Sequence, residues 1–292
     1  MSAPAASAHS APGPRGLRLS FVSGSVVAAA LLTVSAWTYI VFAQTWPDHG
    51  FLSGETASRA WSFLGELAGS GSERTPAYLD GSAWAEAGGL ALDTLAMSVL
   101  AAGLAAIGAL LTFMFAARNV MSGELAPYRN PVWRAWFFAV RLAYVLSRSV
   151  PELIWAMLLV FIFSPGILPG ALALAAHNFG ILGKLSAEVV EGLDARPARA
   201  LRASGAGWFQ VIVYAVLPMA LPRFVTYLFY RWEVIIRTTI VVGLVAAGGL
   251  GMEFRLALSH FHYTTVTLLL AWYLLLVVGV DLAAAAMRRL AR

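Results

Sequence analysis

The sequence predicts an all-α integral membrane protein with six transmembrane helices and both termini on the cytoplasmic side. Three observations lead there. Hydrophobic residues make up 60% of the 292-residue chain and charged residues only 12%, about half the share in a soluble domain. The apolar residues gather in long uncharged runs rather than alternating ten-residue strands, which favours helices over a barrel. Arginines collect at the edges of these runs on one side, the bias that places basic connections inside. The net charge of +5 follows from that bias and is no sign of nucleic-acid binding. With no cysteine, the chain has no disulfide, thiolate metal site or cysteine nucleophile.

Residues 1–16, rich in Ala, Ser, Pro and Gly, read as a disordered cytoplasmic tail with too little apolar surface to offset chain entropy. The run after Arg18 is too long for the core of a cleavable signal, so 19–43 is the first span. The segment 44–86 carries Asp48, Glu55, Glu66, Glu73, Asp80 and Glu86 against Arg59 and Arg74, and this acidic loop lies outside. A short helix fits 56–67. Residues 17–89 thus form the first helix and its outer loop, and 90–292 form the core. The second span is 90–117, with Asp93 in position to cap its first turn. Arg118, Arg129, Arg134, Arg141 and Arg148, with only Glu124 opposing, put the next connection inside. Within it, 133–146 has apolar residues at helical spacing and suits a helix lying along the membrane surface.

The uncharged run 153–183 is too long for one crossing. Ser164-Pro165-Gly166 and Pro169-Gly170 break it into a third span, 149–163, and a fourth, 171–190. Residues 184–202 mix both charge signs and are cytoplasmic. The fifth span starts near 218–222 and runs to about 239. Residues 242–251, VGLVAAGGLG, hold too much Gly for a regular helix. The sixth span is 264–287, before Arg288-Arg289. His177 and Asn178 within the fourth span suit hydrogen bonding between helices.

The segment between the fourth and fifth spans has an unusual build. Pro197 suits a helix first turn and Gly205 suits a helix end, so a short rigid helix of about 195–206 stands between two spans. Its pattern is Arg199-Ala200-Leu201, then Gly205, then Ala215 and Leu217-Pro218. That spacing resembles the cytoplasmic coupling motif of ABC-importer permeases, Glu-Ala-Ala-x3-Gly-x9-Ile-x-Leu-Pro, with Arg in place of Glu and Ala in place of Ile. The same spacing also suits an ordinary polar loop.

A narrower resemblance extends over about 91–289 and is strongest across 148–251. It rests on Arg148-Ser149-Val150-Pro151-Glu152, Gly183-Lys184-Leu185 with Glu188 and Glu191, Tyr230-Arg231-Trp232-Glu233 with Arg237, and Gly243-Leu244-Val245 followed by Ala247-Gly248-Gly249-Leu250-Gly251. These residues resemble the phosphonate-import permeases (PhnE-like) of the type I ABC importers. The resemblance implies the import of phosphonates, phosphite or related phosphorus oxyanions across a bacterial inner membrane. It implies a homodimer of this chain, an ABC ATPase pair that binds ATP and Mg, and an extracytoplasmic binding protein. The chain itself then holds no cofactor, metal or catalytic residue. Two other readings stand beside it: a type I importer for another ligand, for example the amino acid methionine, and an intramembrane enzyme. The latter needs a nucleophile paired with a base, and the spans offer no convincing His or Asp partner for their serines.

The residues offer pathway candidates independently of the resemblance. With the fifth span starting near 218–222, Arg231 lies about 14–20 Å into the membrane, where charge is costly and marks function. Glu233 and Arg237, four apart, are placed to pair on one face. Arg231 is left to pair with Glu152 or to attract an oxyanion. Gly248 and Gly249 either present N–H groups to an anion or form a tight turn between two half-helices.

Overall fold

A computed structural model describes residues 21–44, 54–70, 75–123, 125 and 131–290, and every regular element among them is helical. The expected tail at 1–16 lies outside the described residues. The chain divides into two units, Met1–Leu64 and Gly65–Arg292. In the first, helix α1 (Phe21–Tyr39) continues through a wide π turn, Ile40–Gln44, and buries no side chain. It is apolar on every side, as a helix solvated by lipid should be. Helix α2 (Gly54–Leu67) starts in this unit and ends in the next.

The second unit opens with α3 (Gly81–Ala116), about 54 Å long and so longer than a bilayer core of about 30 Å. It begins upstream of the expected 90. Asp80 caps it, accepting from the backbone N–H of Ser82 at 2.9 Å and from its hydroxyl at 2.7 Å. These bonds hold the Asp80 carboxyl below the ordinary carboxylate range. Asp93 therefore sits well inside a helix and caps nothing, because the apolar run that located the span starts later than the helix does.

After the short α4 (Arg118–Met121), α5 (Pro131–Ser149) and α6 (Glu152–Phe163) meet at a bend of 94°. Pro151 lacks an N–H and pushes Val150 out of the helical region, which enforces the break. Helix α7 (Ile167–Glu191) holds Pro169 and Gly170 in its first turn, where a proline is tolerated. They were expected to belong to a turn outside the membrane, but the turn between α6 and α7 is confined to Ser164-Pro165-Gly166, with Ser164 at φ 65°.

Helix α7 lies at the centre of this unit, packed on α3, α5, α6 and the later α10 (Leu217–Val242). Between them come α8 (Arg196–Ala203), α9 (Trp208–Val211) and a π turn, Ile212–Val216, that runs directly into α10. The fifth span was expected from 218–222, but the continuous helical run starts at Trp208. Pro218 does not begin the helix; its ring displaces the carbonyl of the preceding turn, and the backbone widens into the π turn to absorb it. A second wide turn, Gly243–Ala247, ends α10. The chain breaks at Gly248 and continues as α11 (Gly249–Ser259) and α12 (Tyr263–Leu290).

Phe113, Val190, Ala198, Val211 and Val216 are core residues of one apolar cluster at the C-terminal ends of α3 and α7. Met97, Leu174 and Ile235 anchor a second, between α3, α7 and α10. Four described helical stretches are long and apolar enough to cross a membrane, and the bent α5–α6 pair counts as a fifth only when taken as one span. Helix α7 is absent from that set because it carries Pro169, His177, Asn178 and Lys184. A helix surrounded by protein does not need lipid-compatible faces.

Candidate functional site

Helix α8 is locked at both ends by local chemistry. Asp194 accepts from the backbone N–H of Arg196 at 2.9 Å and from its Nε at 2.7 Å. The same bonds hold the Asp194 carboxyl below its usual range. Pro197 occupies the first turn. At the far end Gly205 adopts φ 87°, its N–H bonds the Arg202 carbonyl at 2.9 Å, and the Ala206 N–H bonds the Leu201 carbonyl at 3.1 Å. This pair of bonds is a Schellman termination, which requires a left-handed residue where Gly205 stands.

One face of α8 buries Ala198 and seats Leu201 on the apolar cluster at the C-terminal ends of α3 and α7. Arg202 Nη1 reaches the Gly123 carbonyl at 3.1 Å. The opposite face leaves Arg199, Ala200 and Gly205 exposed, and no atom lies within 4 Å of where a Gly205 side chain would start. Ala215 is buried, Leu217 packs on the same cluster, and Pro218 is exposed. The arrangement is a rigid short helix, seated on the helix core and presenting a polar face outward.

The charges of α10 are placed differently from their expected pairing. Glu233 does not pair with Arg237. Arg288 Nη1 of α12 donates to Glu233 Oε1 at 2.5 Å, and Arg237 Nη2 donates to Asp281 at 2.6 Å. Both pairs therefore tie α10 to α12. Sequence reasoning missed Asp281, although a carboxylate inside the last apolar run was itself a signal.

Arg231 does not pair with Glu152 either. Its Nε and Nη2 donate to Asn178 Oδ1 of α7, at 2.9 and 2.5 Å. Asn178 in turn donates to the Leu174 carbonyl at 2.7 Å. Glu152 stands 3.7 Å from His177 Nε2, and His177 Nδ1 lies 3.0 Å from the Val150 carbonyl at the α5–α6 bend. Adjacent residues of α7 thus link α6 and α10, the helix-bridging role expected of His177 and Asn178. A guanidinium has five donors; Asn178 engages two, and the others can serve an oxyanion.

The glycine-rich segment folds as a packed turn. Gly248 and Gly249 have φ 83° and 63°, and Gly248 rests beside Gly166 of the α6–α7 turn. The N–H of the buried Leu250 donates to Thr94 Oγ1 of α3 at 2.9 Å, so this amide is already satisfied within the fold.

Comparison with known proteins agrees with the helical architecture. Residues 123–292 match the family described as the inner membrane component of binding-protein-dependent transport systems. The chain is 37% identical over 198 residues to the phosphite transport system permease protein PtxC of Stutzerimonas stutzeri, covering 68% of each chain. It is 35% identical over 206 residues to the phosphate-import permease protein PhnE of Mycolicibacterium smegmatis. That match covers 70% of this chain and 37% of the relative, so the chain spans little more than a third of that protein's length. The inward-facing MetNI methionine ABC transporter superposes with a TM-score of 0.57 at 18% identity, covering 69% of this chain and 94% of the other, a likeness of fold. The chain is a multi-pass membrane protein, and it belongs to the family of inner membrane components of binding-protein-dependent transport systems, a transport permease subunit and not an enzyme.

Proposed function

We propose that this chain is the permease of a type I ABC importer for phosphonate, phosphite or a related phosphorus oxyanion in a bacterial inner membrane. The observation that carries the substrate class is the 37% identity to a phosphite permease over 68% of both chains. In this reading six helices cross the bilayer: α1, α3, α6, α7, the run from α9 through α10, and α12. Both termini are cytoplasmic, α5 lies along the inner surface, and α8 projects into the cytoplasm.

A second copy of the chain completes the pathway, an extracytoplasmic binding protein delivers the ligand, and a pair of ABC ATPases docks on the exposed face of α8. ATP and Mg belong to those ATPases. Closing them draws the α8 helices together and swings the permease halves between inward and outward states as rigid bodies. The rigidity of α8, fixed by Asp194 at one end and Gly205 at the other, suits it to transmit that displacement. Arg231 is the candidate for contact with the anion, with Asn178 holding its guanidinium in place.

Uptake tests the reading. Cells lacking other routes for reduced phosphorus, given this chain with its ATPase and binding protein, should accumulate phosphite or an alkylphosphonate but not methionine. Accumulation of methionine alone would keep the importer and discard the substrate class.

A further inference from the structure

The Arg148 segment and the basic inner connection have a feature that the transport reading leaves unused. A cleft of about 440 Å³ opens where the inner end of α3, the helix α5 and the last turns of α7 meet, and Arg118, Arg141, Arg148, Lys184, Glu188 and Glu191 line it. We infer that this cleft is a binding site for a phosphate-type anion at the membrane–water boundary. Its orientation toward the cytoplasm rests on the topology proposed above.

The charge balance points to an anion. Four cations face two carboxylates, and both carboxylates are already engaged. Glu191 Oε1 accepts from the Arg118 backbone N–H at 2.9 Å and from Arg141 Nη2 at 2.5 Å. Glu188 lies 3.3 Å from Lys184 Nζ. Arg141 is further fixed by donating through Nε to the Ala116 carbonyl at 2.9 Å, where it also faces the negative end of the α3 dipole. The guanidiniums of Arg118 and Arg148 have no hydrogen bond or ion pair to any described residue. They come from different elements, the start of α4 and the last turn of α5. Guanidinium forks match phosphate oxygens in pairs.

The depth points the same way. Phe115 stacks on Trp133 at 5.2 Å, and Trp133 meets Trp208 at 4.9 Å. These rings stand at the inner ends of α3 and α9 and the start of α5. Such aromatic groups mark the headgroup level of a bilayer. Basic residues at cytoplasmic edges follow from topology alone, but topology does not bring Arg118 of α4, Arg141 and Arg148 of α5 and Lys184 of α7 into one cleft. Basic clefts between membrane helices on the inner face take anionic headgroups. The shared chemistry is a phosphate oxyanion, supplied either by an anionic inner-leaflet lipid or by a free phosphorus oxyanion.

The test uses the purified full chain, by native mass spectrometry. One arm adds phosphatidylglycerol against phosphatidylcholine, and the other adds inorganic phosphate without anionic lipid. The wild type should prefer phosphatidylglycerol or bind phosphate, and the arm that responds names the source. The double variant Arg118→Gln/Arg148→Gln should weaken that binding by about fivefold per charge removed. Arg118→Lys/Arg148→Lys should retain most of it, and this separates loss of charge from loss of fold. No preference and no phosphate binding in the wild type would overturn the inference, as would equal binding by wild type and the Gln variant. Because no ATPase or transport is involved, failure here leaves the importer reading intact, and failed uptake with intact binding would count only against the importer.

Discussion

Helix α8 and the charged layer of α10 serve the proposed function by opposite means. The ends of α8 are fixed by bonds within its own sequence neighbourhood, and its outward face is free. The α10 layer has no such freedom: Arg231 is tied to Asn178, Glu233 to Arg288 and Arg237 to Asp281. Docking a partner on α8 needs no internal rearrangement. Engaging an anion at Arg231 must draw on its remaining donors or on an exchange of partners. The proposed coupling element is therefore prebuilt, whereas the pathway candidate depends on how tightly three helices are held.

Breaking α8 should have the largest effect. Gly205→Leu places a branched residue at φ 87°, at a backbone cost of about 1–2 kcal/mol. Ligand-stimulated ATP hydrolysis by the assembled complex should fall at least tenfold, while the chain still inserts, since nothing crowds the position. Normal stimulation in Gly205→Leu would remove α8 from the mechanism.

The next largest effect belongs to the buried layer. Asn178→Leu removes the acceptor of Arg231, and a lost bond to a charged group costs about 1.5–3 kcal/mol. Uptake and thermal stability should fall together. Arg231→Ala should reduce uptake with a smaller stability loss, and unchanged uptake would end its candidacy for ligand contact.

The α10–α12 pairs should matter less for chemistry than for helix docking. A double-mutant cycle on Glu233→Gln and Arg288→Gln, read by thermal unfolding, should give a coupling of about 1 kcal/mol or more. Additive single effects would show that the contact is not energetically real.

The smallest effect concerns the α8 cap. Asp194 has a depressed carboxyl pKa, so its stabilisation is present above the unfolded-state value and is lost only as pH falls through the lower folded value. The protection factor of the Arg196 amide, its exchange relative to an unfolded amide at the same pH, should therefore be flat from neutral pH down to about 5 and fall only in stronger acid. In Asp194→Ala the protection should be lower throughout the neutral range.

The same contrast explains what the amino-acid order revealed. Helix α8 was legible because Pro197 and Gly205 act locally, through a first turn and a left-handed end. The charges of α10 were legible as exceptions in an apolar run, but their partners were not, because Asn178, Asp281 and Arg288 meet them only through helix packing. Helix ends were misplaced where polarity and backbone diverge: α3 starts at Gly81 under the Asp80 cap, before its apolar run, and the α9–α10 run passes through Pro218 by widening a turn. The central position of α7 was hidden for the same reason that it lacks the composition of a lipid-facing span.

The most direct measurement is ATP hydrolysis by this chain reconstituted in lipid with its ATPase and binding protein. Phosphite, an alkylphosphonate, phosphate and methionine would be added in turn to the wild type and to Gly205→Leu. The account predicts stimulation by a phosphorus oxyanion and not by methionine, with stimulation abolished in the variant. Stimulation by methionine alone, or by an oxyanion equally in both chains, would contradict it.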